Sequence, residues 1–258
     1  MANNRYAVSS IDRALDILLL IFRERREMGI TEIAADLGLY KSTVHRALGT
    51  LQERGFIEQN PVTNKYWLGI KLFSLGMLYR DKMKIQELAR PFTEKLAEQC
   101  REVVHLGVLE SDEQDPGRVV VIDKVETQKV LKLTPAIGTG TKAYCSALGK
   151  ALLAYQPDDY LRRIAENSLE RYTPNTITDV QELQKELCRI KEQGYSMDRE
   201  EIELGLICIG APIFTVQNRA IAAISVSGPT TRLTPDRMPE IIAAVKEAAA
   251  GISERIGD

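Results

Sequence analysis

The fold of the N-terminal part is decided by residues 29–69, which read GITEIAADLGLYKSTVHRALGTLQERGFIEQNPVTNKYWLG. Apolar residues recur at helical spacing in its first part: Ile30, Ile33, Ala34 and Leu37. Gly38 follows them, at a position where helices commonly end in a left-handed residue. A second run, residues 41–54, carries apolar residues on one helical face: Val44, Leu48 and Leu51. The spacing therefore predicts two short amphipathic helices joined by a glycine-containing turn.

This pattern matches the helix-turn-helix plan, in which the second helix enters the major groove of DNA. The polar side of the second helix supplies the candidate DNA contacts: Lys41, Ser42, Thr43, His45, Arg46 and Thr50. Ser42 and Thr43 lie at its start, where hydroxyl and backbone N–H groups can bind phosphate. Arg46, one turn further, either reads guanine through its planar guanidinium group or contacts a phosphate.

Two short β-prone runs follow the second helix and flank a polar turn at residues 60–64, which is a hairpin signal. A hairpin placed directly after a recognition helix is a wing. Lys65 and Tyr66 on its returning strand are candidate contacts to the DNA backbone. Trp67, the only tryptophan of the chain, is expected to pack beneath the wing, because large aromatic side chains commonly fill cores.

Motifs spread over nearly the whole chain resemble those of a known family. They are SIDRALDIL (10–18), KSTVHR (41–46), ALGKALLA (147–154), GYSMDREE (194–201), CIGAPIF (208–214) and AISVSGP (223–229). In this order and spacing they resemble the IclR family of bacterial transcriptional regulators. Tyr40 departs from the family pattern, which commonly has a small residue or Pro before Lys-Ser-Thr. Because Tyr is a poor N-cap, either the cap shifts to Ser42 or Tyr40 makes its own backbone contact.

Length and charge are consistent with two domains. The chain has 258 residues, of which 44% are hydrophobic and 27% charged, as in ordinary globular proteins. Residues 1–80 carry a net charge of +3 and residues 81–258 a net charge of −5, which fits a DNA-binding head attached to a sensor. We expect a winged helix-turn-helix domain at 1–68, a helical linker at 69–82 and an effector-binding and oligomerisation domain at 83–258.

The linker is expected to be a stiff helix, continued by a second helix over residues 85–100 that breaks near Pro91. Helix and strand patterns alternate beyond it, and neighbouring strands can pair by hairpins. The expected fold class is therefore α+β, with a mainly antiparallel sheet flanked by helices in the C-terminal domain. The family resemblance implies that this domain is GAF- or profilin-like.

Polar residues on the predicted strands indicate a ligand pocket. Ser225 and Ser227 are two apart on one strand and share a face, Cys208 alternates with apolar neighbours, and Asp198 ends a strand. In the IclR family the matching positions line an effector site for small organic or aromatic acids. The resemblance carries this role to Ala147, Leu148, Asp198, Cys208, Ser225 and Ser227, and to Leu131 and Leu133 as an apolar wall. Alternatively, the serines only satisfy backbone groups and Asp198 caps a turn.

Asp198 would repel a bare carboxylate beside it. It must instead accept a hydrogen bond from a ligand hydroxyl, hold a neighbouring N–H or share a proton. A keto or hydroxy acid derived from a sugar would supply both a carboxylate and hydrogen-bond donors.

Several other classes of protein are disfavoured. The four cysteines are dispersed and there are only two histidines, so neither a metal site nor a disulfide framework nor a cofactor is expected. The motif G-x-G-x-x-A at 138–143 lacks the parallel strand that a dinucleotide fold requires. Residues 17–22, the longest apolar run, are too few to span a membrane, and no secretory signal is visible, so a cytoplasmic location is expected.

Together these features predict a ligand-controlled transcriptional regulator, a repressor rather than an activator, and not an enzyme. Its expected partners are a double-stranded DNA operator, a small carboxylic acid effector, and further copies of the chain in a homodimer or dimer of dimers. Two alternatives stay open. One is a DNA-binding protein without an effector, and the other is a small-molecule enzyme with an accessory DNA-binding head.

Overall fold

The computed structural model describes residues 8–110, 116–127, 135–166 and 168–257. The chain folds as two compact units that divide between Met83 and Lys84. Within the described ranges, no helix is long and apolar enough to cross a membrane.

The first unit is built from helices and a two-stranded antiparallel hairpin: α1 (Ser9–Glu24), α2 (Ile30–Asp36), α3 (Lys41–Glu53), β1 (Ile57–Gln59), β2 (Tyr66–Leu68) and α4 (Ile70–Met83). Gly38, with φ of +62°, lies between α2 and α3 as the turn requires. One core joins all elements except α4: Ile17, Leu20, Ile21, Met28, Ile33, Ala34, Val44, Leu48, Leu51, Ile57 and Tyr66. The predicted order of helix, turn, helix and wing is confirmed.

Helices α1 and α4 expose large apolar side chains. On α1 these are Ile11, Leu15, Leu19 and Phe22, and on α4 they are Ile70, Phe73, Leu75, Leu78 and Tyr79. Helix α1 also buries a second face in the core, whereas α4 has no buried residue. Both helices therefore carry apolar surface that the first unit itself leaves uncovered.

Helix α5 (Ile85–Cys100) opens the second unit and runs through Pro91 without ending. The expected break at Pro91 is wrong. Proline removes one helical hydrogen bond, but burial of the face that includes Ala89, Leu96 and Ala97 keeps the helix intact. The helical path is interrupted instead at Lys84, whose φ of +46° lies in the left-handed region.

The second unit is organised around a six-stranded sheet whose strands run in the order β5–β4–β3–β8–β7–β6, and every adjacent pair is antiparallel. The strands are β3 (Val103–Leu109), β4 (Arg118–Val125), β5 (Gly140–Lys142), β6 (Ser196–Arg199), β7 (Leu206–Phe214) and β8 (Ala220–Pro229). The predicted antiparallel sheet is thus confirmed.

Helices cover both faces of this sheet. The α-helices that the structure describes in this unit are α5, α6 (Ala147–Leu153), α7 (Asp158–Glu166), α8 (Val180–Gln193) and α9 (Met238–Gly257). Helices α5 and α9 pack together and cover one face, while α6 crosses the other face over β3, β8 and β7. Helix α8 packs against α6. The strand positions that face α6 include those at which the sequence predicts a ligand pocket.

Candidate nucleic-acid interface and ligand site

Helix α3 presents a polar face to solvent. Its apolar residues Val44, Leu48 and Leu51 are buried in the core, which turns the opposite side outward. The exposed residues on that side are Lys41, Ser42, His45, Arg46 and Thr50, and Thr43 is half-buried. The Thr50 hydroxyl donates to the Arg46 carbonyl oxygen at 3.1 Å, so it is available mainly as an acceptor.

Tyr40 occupies the N-cap position of α3. Its backbone is extended, and its carbonyl oxygen accepts from the N–H groups of Thr43 at 2.9 Å and Val44 at 3.1 Å. Its side chain makes no capping hydrogen bond, and the residue is 84% exposed. The cap therefore does not shift to Ser42. The first backbone N–H groups of α3 face solvent, where a phosphate can accept from them.

The two aromatic residues of the wing, Tyr66 and Trp67, show the reverse of their expected burial. Tyr66 is 6% exposed and belongs to the core, and its N–H and carbonyl both bond Met28. Trp67 is 38% exposed and pairs across the hairpin with the exposed Glu58. The prediction of Tyr66 as a DNA contact is therefore wrong, as is the packing of Trp67 beneath the wing. Successive strand residues point to opposite faces, so the burial of Tyr66 turns Trp67 outward.

Lys65 is tied to the start of α2. Its Nζ lies 3.2 Å from Glu32 Oε2, and the same carboxylate accepts from Gly29 N–H at 2.8 Å and from Arg26 at 2.7 Å. The bonds from Gly29, Arg26 and Lys65, in that order, lower the pKa of Glu32 to about 2. A phosphate would have to compete with Glu32 for Lys65.

In the second unit, polar side chains line up across four adjacent strands on the face that α6 covers. Cys208 on β7 is paired with Asp198 on β6 and with Ser227 on β8, and Ser225 is paired with His105 on β3. Paired residues of antiparallel strands share a face. We call Asp198, Cys208, Ser225, Ser227 and His105 the polar row. Asp198, Ser225, Ser227 and His105 are each at most 3% exposed.

Asp198 is the acidic end of the polar row. Its Oδ1 accepts from the Glu201 N–H at 2.7 Å, so the carboxyl group does cap the turn after β6. Burial raises the pKa of Asp198 to about 7, so the carboxyl group is partly protonated near neutral pH. Burial, and next the Asp198 charge, also raise the pKa of the Cys208 thiol, so the thiol stays protonated.

Helix α6 packs closely against Ser196, Gly210 and Gly107, which lie on the same sheet face as the polar row. Ser196 Oγ donates to the Ala147 carbonyl oxygen at 2.6 Å. A Cβ at Gly210 would approach Ala147 to 3.0 Å, and one at Gly107 would approach Leu148 to 3.0 Å. Ala147 and Leu148 are therefore held directly above the sheet, beside the polar row. Leu131 and Leu133 lie outside the described residues.

A buried ion pair beside Asp198 was missed by sequence reasoning. Lys150 on α6 is 0% exposed, and its Nζ bonds Glu201 Oε1. Since Glu201 also donates its N–H to Asp198, the pair connects α6 to the turn that holds the Asp198 carboxyl group. The signal in the sequence was a lysine inside the otherwise apolar run ALGKALLA, because a buried lysine requires a buried partner.

His105, within the apolar run of residues 103–108, is a second residue that sequence reasoning did not assign to the site. It is buried, and its Nδ1 lies 3.4 Å from Ser227 Oγ. Burial, and next Lys124, lower the pKa of His105 to about 4, so the ring is neutral at physiological pH. Among the described residues, no group of three or more His, Cys, Asp or Glu side chains is placed to hold a metal ion.

Two family models match the chain. The IclR helix-turn-helix domain matches residues 10–61, and the bacterial transcriptional regulator IclR C-terminal domain matches residues 77–254. The HTH-type transcriptional regulator BhcR of Paracoccus denitrificans is 38% identical, over 98% of this chain and 88% of that protein. The transcriptional repressor IclR of Escherichia coli is 31% identical, over 97% of this chain and 90% of that protein.

Solved structures agree with these matches. A crystal structure of an IclR transcriptional regulator from Alicyclobacillus acidocaldarius superposes with a TM-score of 0.83 at 29% identity, covering 98% of this chain and 100% of that one. An IclR homologue from Microbacterium hydrocarbonoxydans, complexed with 4-hydroxybenzoate, shares the fold with a TM-score of 0.81 at 23% identity, covering 96% of this chain and 99% of that one. The chain therefore belongs to the IclR family of bacterial transcriptional regulators.

Proposed function

We propose that the protein is a repressor whose helix α3 reads a double-stranded operator and whose second unit binds a small organic acid that changes operator binding. The observation that carries the DNA-reading role is the exposed polar face of α3, which lies opposite a buried apolar face. Family membership and the similarity to the transcriptional repressor IclR of Escherichia coli support repression. Binding to chromosomal DNA implies a cytoplasmic protein.

The proposed DNA contacts divide into two groups. Arg46 has the reach for a guanine edge, while the N–H groups, lysine and hydroxyls at the start of α3 suit phosphate. The phosphate group comprises Lys41, Ser42 and Thr43, with His45 and Thr50 flanking. On the wing, Trp67 takes the place of Tyr66 as the exposed aromatic residue, and Lys65 becomes available once Glu32 releases it.

The proposed effector site is the polar row together with Ala147 and Leu148. Asp198, with its pKa near neutrality, can accept from a ligand hydroxyl or donate its own proton, and the Ser225 and Ser227 hydroxyls offer further hydrogen bonds. Apolar groups of α6 close the site from above. The Microbacterium homologue, which binds a hydroxylated aromatic acid, supports a ligand of this class.

We also propose that the chain acts as a homodimer, or as a dimer of dimers. The exposed apolar faces of α1 and α4 would be covered by the same faces of a second copy. A dimer places two α3 helices on one operator, so that a head with a net charge of only +3 gains affinity from two attachments.

The test compares Arg46→Ala with the matched control Arg162→Ala, an exposed arginine of the second unit. DNA from upstream of the protein's own gene is labelled, and binding is followed by fluorescence anisotropy. Each lost guanine contact costs about 1–3 kcal/mol, so Arg46→Ala should lower affinity by about ten-fold or more, and Arg162→Ala should leave it unchanged. In a thermal-shift screen, a hydroxy or keto acid that raises the melting temperature of the wild type should raise that of both variants equally.

Equal DNA affinity of Arg46→Ala and wild type would contradict the assignment of α3 as the reading helix. Failure of every acid to raise the melting temperature, or to alter DNA binding, would contradict the effector role of the second unit.

A further inference from the structure

The polar row has chemically different ends. Asp198 forms one end on β6, and His105 forms the other end on β3. Adjacent strands lie about 4.8 Å apart and residues rise about 3.3 Å along a strand, so the two Cα atoms, three strands and two residues apart, are separated by about 16 Å. Cys208, Ser225 and Ser227 lie on the two strands between these ends. A ligand that bonds both ends must itself carry a polar group at each end.

The His105 ring offers one hydrogen-bonding atom that the protein does not use. Nε2 is buried and has no hydrogen-bond partner among the described residues, while Nδ1 faces the Ser227 hydroxyl at 3.4 Å. A buried polar atom left without a partner costs free energy, and a ligand atom that bonds it recovers that cost. When Ser227 donates to Nδ1, the ring proton lies on Nε2, which is then a donor toward the ligand.

The charge around His105 favours an anionic group. Lys124 is paired with His105 across β3 and β4, and its side chain is only 13% exposed. Its Nζ contacts Glu126 at 2.8 Å, so a carboxylate would meet a partly neutralised cation as well as the imidazole N–H. At the opposite end, Asp198 and Glu201 disfavour a second anion.

We propose that His105 determines effector specificity by donating from Nε2 to the carboxylate of a hydroxy acid whose hydroxyl group lies at Asp198. This inference rests on the proposed function and specifies how that site reads its ligand. The ligand class is a bifunctional molecule, such as a para-hydroxylated aromatic acid or an acyclic polyhydroxy acid. The competing explanation is that His105 only positions Ser227 through Nδ1.

Three substitutions separate the two roles. Gln places an amide nitrogen near the position of Nε2, Asn places one near Nδ1, and Phe keeps the ring shape without nitrogen. The variants His105→Gln, His105→Asn and His105→Phe are titrated by calorimetry with 4-hydroxybenzoate and gluconate. Phenol and glucitol, which lack the carboxylate, serve as matched ligands.

We expect His105→Gln to bind the acids within about three-fold of the wild type. His105→Asn and His105→Phe should lose about ten-fold, the cost of one hydrogen bond to a charged group. Binding of phenol and glucitol should not change. The reverse ranking of Asn and Gln, or an equal loss for the uncharged ligands, would show that His105 only positions Ser227 and would overturn the proposal.

A measurement on the wild-type chain covers the case in which the variants fail to fold. The chain has two histidines, His45, which is exposed, and the buried His105, so their imidazole nitrogen resonances can be told apart. Addition of 4-hydroxybenzoate or gluconate should shift the Nε2 resonance of His105, and phenol or glucitol should not. If neither acid binds the wild type, the hydroxy-acid ligand class and with it the role of His105 fail, whereas the effector role itself fails only if every acid of the thermal-shift screen fails. If an acid binds without moving this resonance, only the role of His105 fails.

Discussion

Asp198 links the charge state of the ligand site to the stability of the fold. In the folded chain its pKa is raised from the ordinary value of 3.8 to about 7, mainly by burial. Between these values the folded chain holds a proton that the unfolded chain has lost. The free energy of unfolding therefore falls as pH rises through this range, by up to about 1.4 kcal/mol per pH unit.

Asp198→Asn should remove this contribution. The variant keeps an oxygen acceptor for the Glu201 N–H but carries no titrating group. The difference in free energy of unfolding between the variant and the wild type should therefore shift in favour of the variant as the pH rises from 5 to 7. Urea unfolding at pH 5, 6 and 7 measures the difference. Asp179→Asn, at an exposed N-cap that accepts from Glu182 N–H at 2.9 Å, is the matched control. Parallel pH profiles of wild type and Asp198→Asn would contradict the expectation.

Tyr66 and Trp67 show where residue-level prediction stops. Strand β2 has three residues, and alternation alone does not say which of two neighbouring aromatic side chains points inward. The decision comes from a contact distant in sequence, the paired backbone bonds between Tyr66 and Met28. For α3 the apolar residues Val44, Leu48 and Leu51 recur over about two turns, and its buried face was predicted correctly.

At the scale of elements, helix bounds could be predicted where local sequence signals mark them, and features that depend on tertiary packing could not. Helix α8 spans Val180–Gln193, and local sequence marks both ends, since Asp179 caps its start and Gly194, with φ of +76°, ends it. Helix α5 was expected to break at Pro91 and does not, because tertiary packing outweighs the loss of one helical bond. The polar row joins β3 to strands far away in sequence. The family resemblance supplied Asp198, Cys208, Ser225 and Ser227, but local spacing could not show that His105 lies beside them.

The packing of helix α6 against the backbone of Ala143 depends on Gly149. A Cβ there would lie 2.2 Å from the Cα of Ala143, and this backbone cannot move aside cheaply. Gly149→Ala should therefore lower the free energy of unfolding by about 1–3 kcal/mol or more and weaken binding at Ala147 and Leu148.

Gly49→Ala is the matched substitution on an open helical surface. Nothing lies within 4 Å of its added Cβ, so the variant should gain about 0.5–1 kcal/mol from the higher helix propensity of alanine. Urea unfolding of both variants makes the comparison. Similar effects of the two changes would show that α6 can shift to accommodate a methyl group.

At the scale of the whole molecule, the apolar surface of the first unit bears on assembly. Leu19 on α1 is 61% exposed and Leu78 on α4 is 70% exposed. A glutamate at either position would place a charge in the proposed dimer contact. Leu19→Glu and Leu78→Glu should therefore sediment as species of lower mass and bind operator DNA more weakly, since each monomer would carry one head.

Leu204→Glu, at a position that is 58% exposed in the second unit, provides the control and should keep the mass of the wild type. Analytical ultracentrifugation at micromolar concentration distinguishes the species. An unchanged sedimentation coefficient of both head variants would show that copies of the chain associate through other surfaces.

The distribution of thiols has a practical consequence. Cys188 on α8 is exposed, Cys208 is half-buried, and Cys100 and Cys145 are buried. Desolvation raises the thiol pKa of Cys100, Cys145 and Cys208, which keeps these three protonated. A maleimide dye should consequently label the native protein selectively at Cys188. Because α8 packs against α6, a movement of α6 over the polar row should change the fluorescence emission of that dye.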